Sequence, residues 1–381
     1  MLGFINRLEG RLTGFLGVIL SGLAQSDRRA DMVSQIGEWL GQEKHLGEMA
    51  HYVQLAPQFD PDLLQRILPL GIKKKDDQIV VQVLSGAARR YSEAPDGLIE
   101  IIFIPAIKYF TEKRDGRWIN LVWYVQRDRS FLCGLAAEQV DVVLASLVYL
   151  PQIETHAEFV LVLLAEKYPE KVFDFFGDRL TFAASREDGD DDRYEAVPLH
   201  FYHLQKSFTG IAEHAVGFVR KLFVGGDPTF QFSGGRLLAS SFPDYVEPFA
   251  RSLESCLRSG NREDIKFVVQ VMSSYHGEVS LNETCKAVVR ALPADDALLS
   301  GVEIVLQNTG VVSGEFGLVQ AYQAKKQEMT GWLGDPDAKV RAFAESYVRL
   351  LDRQIAAEQR RSEESIEMRK RMYGDPDDAA A

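Results

Sequence analysis

Apolar residues recur at intervals of three and four along most of the chain, and polar residues fill the positions between them. This spacing places the apolar side chains on one face of an α-helix, whereas the alternation that is typical of half-buried strands is rare. The segment Glu100–Ile104, with four successive apolar residues, also fits a buried strand, but helix-compatible sequence flanks it on both sides. The pattern therefore predicts an all-α protein.

Most of the predicted helices are ten to eighteen residues long, and only a few polar, glycine or proline residues separate one from the next. Helices that follow one another so closely favour an α-solenoid, in which antiparallel helix pairs stack on their neighbours. A last helix is predicted to begin near Asp337. The preceding ones span Ala30–Gln42, His45–Leu55, Pro61–Gly71, Asp77–Tyr91, Leu98–Lys113, Trp118–Gln126, Ala137–Leu150, Thr155–Tyr168, Pro169–Phe176, Gly210–Phe223, Tyr245–Arg258, Arg262–Tyr275, Asn282–Leu292, Asp296–Gln307 and Phe316–Trp332.

Two helix starts share the sequence Asp-Pro-Asp, at residues 60–62 and 335–337. The first Asp can accept hydrogen bonds from free N–H groups of the first turn, and proline at the first helical position gives up no hydrogen bond. The segment 332–344, WLGDPDAKVRAFA, resembles the turn and second helix of a HEAT-like repeat, with Val340-Arg341 one turn into the helix. The resemblance covers about one repeat, residues 316–355. It implies that other helix pairs are diverged repeats, because one repeat cannot bury its apolar face alone.

Two segments interrupt the helical pattern. Ser185–Glu195 holds six acidic residues and two arginines, which predicts a solvated loop. Gly225–Arg236, GGDPTFQFSGGR, contains glycines and a proline that predict a second loop. We therefore expect an N-terminal helical-repeat block over residues 1–177, an acidic linker or loop over 178–206, a C-terminal HEAT-like block over 207–355, and a projecting charged helix and tail over 356–381.

The last helix changes character after Ile355. Up to that residue its apolar positions form an inward stripe, and beyond it charged residues of both signs dominate. We expect a long helix from Asp337 to Tyr373 that projects beyond the core and docks a partner; a solvated end cap without a partner fits the same pattern. The partner-binding candidates are five cations that suit an acidic partner, Arg360, Arg361, Arg369, Lys370 and Arg371, and three apolar residues, Ile366, Met368 and Met372.

Common motifs for nucleotide, metal or nucleophilic chemistry, namely GxxxxGK[ST], GxGxxG, HExxH and GxSxG, do not occur in the sequence. The closest histidine pair, His200 and His203, is interpreted as part of a capped helix start with Phe201 and Tyr202 packed inward. The three cysteines, Cys133, Cys256 and Cys285, lie far apart and are expected to be core thiols. We therefore expect a non-catalytic protein with no cofactor and no metal.

The formal net charge is −12, from 43 Lys and Arg against 55 Asp and Glu, which argues against nonspecific binding to a phosphate backbone. Two basic clusters nevertheless stand out, and aromatic residues interleave the second, a composition typical of nucleic-acid grooves. Because these aromatic residues lie at helical spacing, we expect core positions for them, and nucleic-acid binding is the second hypothesis. Its candidate residues are Lys73, Lys74, Lys75, Lys113, Arg114, Arg117, Arg127 and Arg129.

The longest uncharged stretch near the start, Leu12–Ser26, has 15 residues, fewer than the roughly 20 that cross a bilayer as a helix. With Arg7 and Arg11 ahead of it, the stretch also fits a signal peptide, but Glu9 lies in the region that should be positive. The apolar spacing favours a first core helix, and a membrane-surface helix would need a more basic polar face. We expect a cytoplasmic protein with no membrane span.

Three hypotheses for function follow from these patterns. The first is a non-catalytic helical-repeat scaffold or adaptor that binds a protein partner, with self-association as one form of it. The second is a nucleic-acid-binding HEAT-like solenoid. The third rests on a similarity between this succession of helices and the helical C-terminal regions of bacterial signalling and defence NTPases. It makes the chain a sensor or regulatory component of such an assembly.

Overall fold

The computed structural model describes residues 15–93, 97–119, 130–186, 193–224, 228–275, 279–307 and 312–373. Throughout these residues the regular elements are helices, which confirms the predicted all-α class. The segment around Glu100, where a strand is the alternative interpretation, forms a π-helix that continues directly into an α-helix. The chain divides into two compact units, Met1–Phe208 and Thr209–Ala381.

The helices of the first unit pack on both nearest and next-nearest neighbours along the chain. Helix α3 lies against α1, α4 and α5, and α8 lies against α6 and α10. The core between them is apolar, and Met49, Leu64 and Val83 are completely buried. The α-helices are α1 Leu16–Ala24, α2 Arg29–Gly41, α3 Leu46–Leu55, α4 Pro61–Lys74, α5 Asp77–Arg89, α6 Ile104–Glu112, α7 Ser130–Cys133, α8 Ala137–Leu147, α9 Thr155–Ala165, α10 Pro169–Ala184 and α11 Gln205–Phe208, with a 3₁₀ turn at Tyr91–Glu93 and the π-helix at Ile99–Phe103.

The second unit is built from α12 Ala212–Val224, α13 Pro228–Ser241, α14 Glu247–Leu257, α15 Arg262–Met272, α16 Asn282–Ala291, α17 Leu298–Gln307, α18 Gly317–Thr330 and α19 Ala338–Tyr373. Consecutive helices pack as the pairs α12–α13, α14–α15, α16–α17 and α18–α19. Helices α12, α14 and α16 also pack in succession, as do α13, α15 and α17, and α19 packs on α16. Each pair therefore contacts the next one through both of its helices.

The first of the two Asp-Pro-Asp segments starts a helix as its sequence predicts, and the second is capped by its last aspartate. The carboxylate of Asp60 accepts a hydrogen bond from the Leu63 N–H at 3.0 Å, with Pro61 as the first residue of α4. At residues 335–337 the helix begins later than predicted, at Ala338, so Pro336 precedes it. The carboxylate of Asp335 accepts from the Asp337 N–H at 3.0 Å, and the carboxylate of Asp337 accepts from the Lys339 N–H of the first turn at 2.7 Å. In both places a side-chain oxygen replaces the missing helical acceptor, which fixes where the helix begins.

The predicted loop Gly225–Arg236 is largely helical, because α13 begins at Pro228 and continues to Ser241. Its glycines allow close packing between helices. A Cβ on Gly235 would lie 2.6 Å from the Ser274 hydroxyl, and a Cβ on Gly234 would lie 2.8 Å from Val219. Contact with α12 and α15 therefore outweighs the low helix propensity of glycine.

Helix α10 extends to Ala184, beyond the predicted end at Phe176, so it crosses the predicted boundary between residues 177 and 178. The centre of the acidic segment, residues 187–192, lies outside the described residues. After this segment, Glu195 contacts an earlier part of the first unit, because its N–H donates a hydrogen bond to the Pro151 carbonyl at 2.7 Å.

A completely buried arginine, Arg179 in α10, contacts residues 194–196, which we call the return segment, and holds them in place. Its guanidinium carbon lies 4.7 Å from the centre of the Tyr194 ring. Desolvation lowers the pKa of Arg179 to about 10. The guanidinium lies within hydrogen-bond distance of five backbone carbonyls, and the two N–H groups of Nη1 are shared among the first three of them. The carbonyls are those of Leu147 (3.1 Å), Val148 (3.2 Å), Leu150 (2.8 Å), Glu195 (2.6 Å) and Ala196 (3.0 Å).

In the second unit, arginines link helix pairs to aspartates at helix starts. Each aspartate lies at or just before the start of the second helix of a pair, α15, α17 or α19, and each arginine comes from an earlier pair. The carboxylates of Asp296 and Asp335 each accept a backbone N–H at the helix start and also pair with an arginine of the preceding pair. At α15 the Asn261 side chain caps the helix instead, and Asp264 accepts from the Ser259 hydroxyl. The ion pairs are Arg220 with Asp264, Arg262 with Asp296, and Arg290 with Asp335.

Replacing Asp335 with asparagine should make the second unit less stable at pH 7 and less sensitive to acid. The Asp337 N–H, together with Arg290 and Lys286, holds the pKa of Asp335 below its ordinary value. This carboxylate therefore stabilises the folded state above the unfolded pKa of about 3.9, and the contribution is lost as pH falls through the lower folded pKa. Asparagine keeps a capping oxygen but carries no charge.

Urea unfolding of the parent and Asp335→Asn proteins at pH 7 and pH 2.5 measures this difference. We expect a higher urea midpoint for the parent at pH 7 and converging midpoints at pH 2.5. A difference that is equally large at both pH values would assign the effect to packing and not to charge.

Candidate functional site

The C-terminal helix α19 has 36 residues, which corresponds to a length of about 54 Å. Its first half is part of the core, since Val340, Tyr347 and Leu351 are completely buried against the rest of the second unit. From Asp352 to Met372 no side chain is fully buried. The last six turns of α19 are therefore held by far fewer contacts than the first four.

One side of the outer half of α19 is attached to the segment that precedes α18. The Ser362 hydroxyl donates a hydrogen bond to the Glu315 carbonyl at 2.8 Å, and Arg369 forms an ion pair with the Glu315 carboxylate. Ile355 and Ile366, on the same side or at its edge, are half-buried. Of the predicted partner-binding residues, Arg369 and Ile366 are therefore partly occupied within the chain.

The three predicted apolar residues of this segment do not share one face. Met368 and Met372 are four residues apart, so they lie on one side of the helix, with 58% and 67% of their surfaces exposed. Ile366 lies at about 160° from Met368 around the helix axis, since each residue rotates by about 100°. The exposed apolar surface of outer α19 is thus the methionine pair.

The remaining predicted cations of α19 are exposed. Arg361 pairs with Glu358 at 2.7 Å and Arg371 pairs with Glu367 at 3.0 Å, both within the same helix. Arg360 and Lys370 are also exposed. Solvent-exposed pairs of this kind contribute about 0–1 kcal/mol, so a partner's carboxylates can replace the internal acids at little cost.

The structure brings the two basic clusters of the nucleic-acid hypothesis together at the start of α5, and acids of the chain neutralise much of their charge. Lys75 and Arg114 are exposed, and Arg127 and Arg129 lie outside the described residues. Internal acids lower the positive potential that a phosphate backbone would meet here. The internal partners are Glu43 for Lys73 and Lys74, Asp77 for Lys113, and Asp115 for Arg117.

A cavity of about 540 Å³ lies between the starts of α3 and α5 and the end of α4. Glu43 and His45 on its wall have left-handed backbone, with φ of 52° and 54°. Glu43 accepts from Lys73 at 2.7 Å, and this hydrogen bond is the main reason why the pKa of Glu43 is lowered. Over the described ranges, no cluster of three or more His, Cys, Asp or Glu is placed to hold a metal ion.

The segment with His200 and His203 precedes α11 and does not lie on a helix. The predicted cap is present, because the N–H groups of His203 and Leu204 both donate to the buried carboxylate of Glu158, at 2.7 and 3.1 Å. Phe201 is buried as predicted, but Tyr202 is 74% exposed, so the prediction that it packs inward is wrong. The buried Leu204 takes the inward position beside Phe201.

The cysteines differ in burial. Cys256 and Cys285 are buried, whereas Cys133 is exposed, which corrects the prediction of three core thiols. Burial raises the pKa of Cys285 to about 12, so this thiol stays protonated near neutral pH. Neither buried cysteine has the character of an activated nucleophile.

No family model gives a significant match to the chain, and neither do the curated proteins or solved structures compared with it. Among the described helices, none combines the length and the apolar character that crossing a bilayer requires. Function must therefore be inferred from the surfaces of the chain itself. The outer half of α19 offers exposed apolar and positively charged side chains together, which makes it the candidate binding surface.

Proposed function

We propose that the protein is a non-catalytic helical-repeat scaffold or adaptor whose C-terminal helix α19 binds a protein partner. The observation that carries this proposal is the continuation of α19 for about 33 Å beyond Leu351, its last completely buried residue. This segment carries an exposed methionine pair and cations whose internal ion pairs are easily exchanged. Helices that dock in grooves use apolar anchors three or four residues apart, and Met368 and Met372 have this spacing.

The packing of the second unit supports the helical-repeat part of the proposal. Helix pairs that contact the next pair through both helices are the arrangement expected for an α-solenoid. Aspartates at the starts of α15, α17 and α19 recur after 32 and 39 residues, close to the length of one helical repeat. Arg341 also donates to the carbonyls of Asp335 and Pro336, at 2.7 and 2.9 Å, which fits a HEAT-like turn at this position.

The titratable groups support a non-catalytic role. Among the residues that the structure describes, the largest pKa shifts belong to Arg179, Tyr194, Tyr245, Cys285 and Tyr347, and desolvation within helix packing is the main cause of each. Catalytic groups with shifted pKa values instead face a cleft that admits substrate. None of these five residues lines the cavity beside α3. The net charge of −12 favours a protein partner over nucleic acid.

Deleting residues 357–381 tests the proposal directly. The deleted part of α19 contributes exposed contacts to Glu315, so we expect the melting temperature to fall by less than about 4 °C. The shortened protein should also lose the complex that the full chain forms in its own cells. Circular dichroism measures the first effect, and size-exclusion chromatography with light scattering on the purified complex measures the second.

A variant that lacks only residues 374–381 is the matched control and should keep both stability and partner. If deletion of 357–381 unfolds the protein, the outer helix belongs to the core. If the shortened protein folds and keeps every complex, α19 is an end cap and the proposed function is wrong.

A further inference from the structure

The outer half of α19 has two exposed sides of different charge. We call one of them the methionine side; it carries Arg353, Arg360, Arg361, Met368, Arg371 and Met372, with Glu364 as its one acid. We call the other the acidic side; it carries Asp352, Gln359, Glu363, Ile366, Glu367 and Lys370. These assignments follow from a rotation of about 100° per residue along the continuous helix.

The contacts of α19 orient these two sides. The side between them faces the chain, because Ser362 and Arg369 both contact Glu315. Asp352, at the start of the acidic side, forms an ion pair with Lys326 of α18 at 2.5 Å. The methionine side therefore turns away from α18, and its arginines and methionines are exposed.

We infer that the methionine side of α19 docks on a protein surface that is acidic around an apolar depression, an inference that rests on the proposed function of α19. Methionine side chains are flexible and polarizable, so a pair of them adapts to an irregular apolar depression. Four arginines along the same side of the helix match carboxylates on the partner, and arginine binds carboxylates in a bidentate manner. The chain has a net charge of −12, so its attraction to an acidic partner must come from a local positive surface, and the methionine side supplies one.

Other occupants fit this side less well. Two copies of the methionine side would bring arginines against arginines, which disfavours pairing of α19 with itself. A membrane-surface helix carries a wide apolar face with aromatic residues, whereas this side offers two methionines. A phosphate backbone would satisfy the arginines but would leave the methionine pair without an apolar contact.

The size of the methionine side sets the strength of the contact. From Arg353 to Met372 it is about 29 Å long, and with a helix width of about 10 Å it covers on the order of 300 Å². Stable interfaces bury about 800 Å² on each partner. The docking contact by itself is therefore weak and sensitive to salt, and it serves recognition more than tight anchoring.

Site-specific photocrosslinking in the cells that contain the protein tests this inference on the full chain. Met368→p-benzoylphenylalanine places the crosslinker on the methionine side, and Gln359→p-benzoylphenylalanine places it on the acidic side at a matched exposed position. We expect a protein adduct from position 368 and not from 359. Mass spectrometry should identify a partner peptide with excess Asp and Glu.

A matched pair of charge reversals supplies the second criterion. Arg360→Glu on the methionine side should lower the yield of the 368 adduct at least ~threefold, because it opposes the partner's carboxylates. Lys370→Glu makes the same change of charge on the acidic side and should leave the yield within about twofold of the parent.

Each further outcome separates this inference from the proposed function. An adduct from 359 alone, or a 368 adduct with a basic or uncharged peptide, overturns the inference and leaves partner binding by α19 in place. An adduct with lipid, nucleic acid or a second copy of the chain also overturns it. If neither position gives an adduct while the 357–381 deletion keeps every complex, the proposed function itself is wrong.

Discussion

Replacement of Arg179 with methionine should lower the free energy of unfolding of the first unit by about 4 kcal/mol. The buried guanidinium directs four N–H groups at five carbonyl oxygens, and bonds from a charged donor contribute about 1.5–3 kcal/mol each. Removing the buried charge offsets part of this loss. The drop in the pKa of Arg179 to about 10 corresponds to a cost on the order of 3 kcal/mol for the buried charge.

Urea unfolding of the full chain, with hydrogen exchange followed on peptides of the first unit, measures this effect. Arg179→Lys should fall between parent and methionine variant, because one ammonium group can donate at most three hydrogen bonds. The control is Arg186→Met, since the Arg186 guanidinium lies 4.9 Å from the same Tyr194 ring and is only half-buried. Equal losses for Arg179→Met and Arg186→Met would show that ring contact, not carbonyl binding, is the source of stability.

The effect of Arg179→Met should not depend on pH between 5 and 9. Burial lowers the folded-state pKa of Arg179, so the folded state disfavours the proton that the unfolded state keeps. The resulting cost is constant at every pH below about 10 and declines only above it. A strong pH dependence in this range would assign the effect to another group.

The helical pattern was predictable because its cause is local. Helix α15, for example, begins at Arg262 as its apolar spacing predicts, since a 3.6-residue period is visible in any window of a few turns. Helix α13 was not predictable, because its glycines are stabilised by packing against other helices. The contact of Gly235 with Ser274, for example, joins residues 39 positions apart in sequence. The carbonyls around Arg179 come together only after α8, α10 and the return segment have packed.

The same distinction applies to the candidate site. The end of the inward stripe near Ile355 is a property of one helix, and it indicated where α19 leaves the core. Which side of the helix is available depends on Glu315, 47 residues before Ser362, and no local pattern indicates that contact. The recurring aspartates could have been found from their spacing of 32 and 39 residues, but their arginine partners required the structure.

Replacement of Asp264 with asparagine should lower the free energy of unfolding of the second unit by about 3 kcal/mol. The Asp264 side chain is 1% exposed and accepts from Arg220 at 2.5 and 2.6 Å and from the Ser259 hydroxyl at 2.6 Å. Breaking a buried ion pair costs about 3–5 kcal/mol. The lower end applies here, because Arg220 keeps 40% of its side chain in solvent.

Glu247→Gln is the matched control, because Glu247 pairs with Arg251 on the surface, where an ion pair contributes at most about 1 kcal/mol. Since the Asp264 pair joins α12 to α15, and thus one helix pair to the next, its loss should also weaken the coupling between neighbours on which helical stacks depend. Urea unfolding should then show a lower midpoint together with a broader transition, and 1 M NaCl should not abolish the difference. A loss no larger than that of Glu247→Gln, or one that disappears in salt, would show that the pair behaves as a surface contact and does not connect the helix pairs.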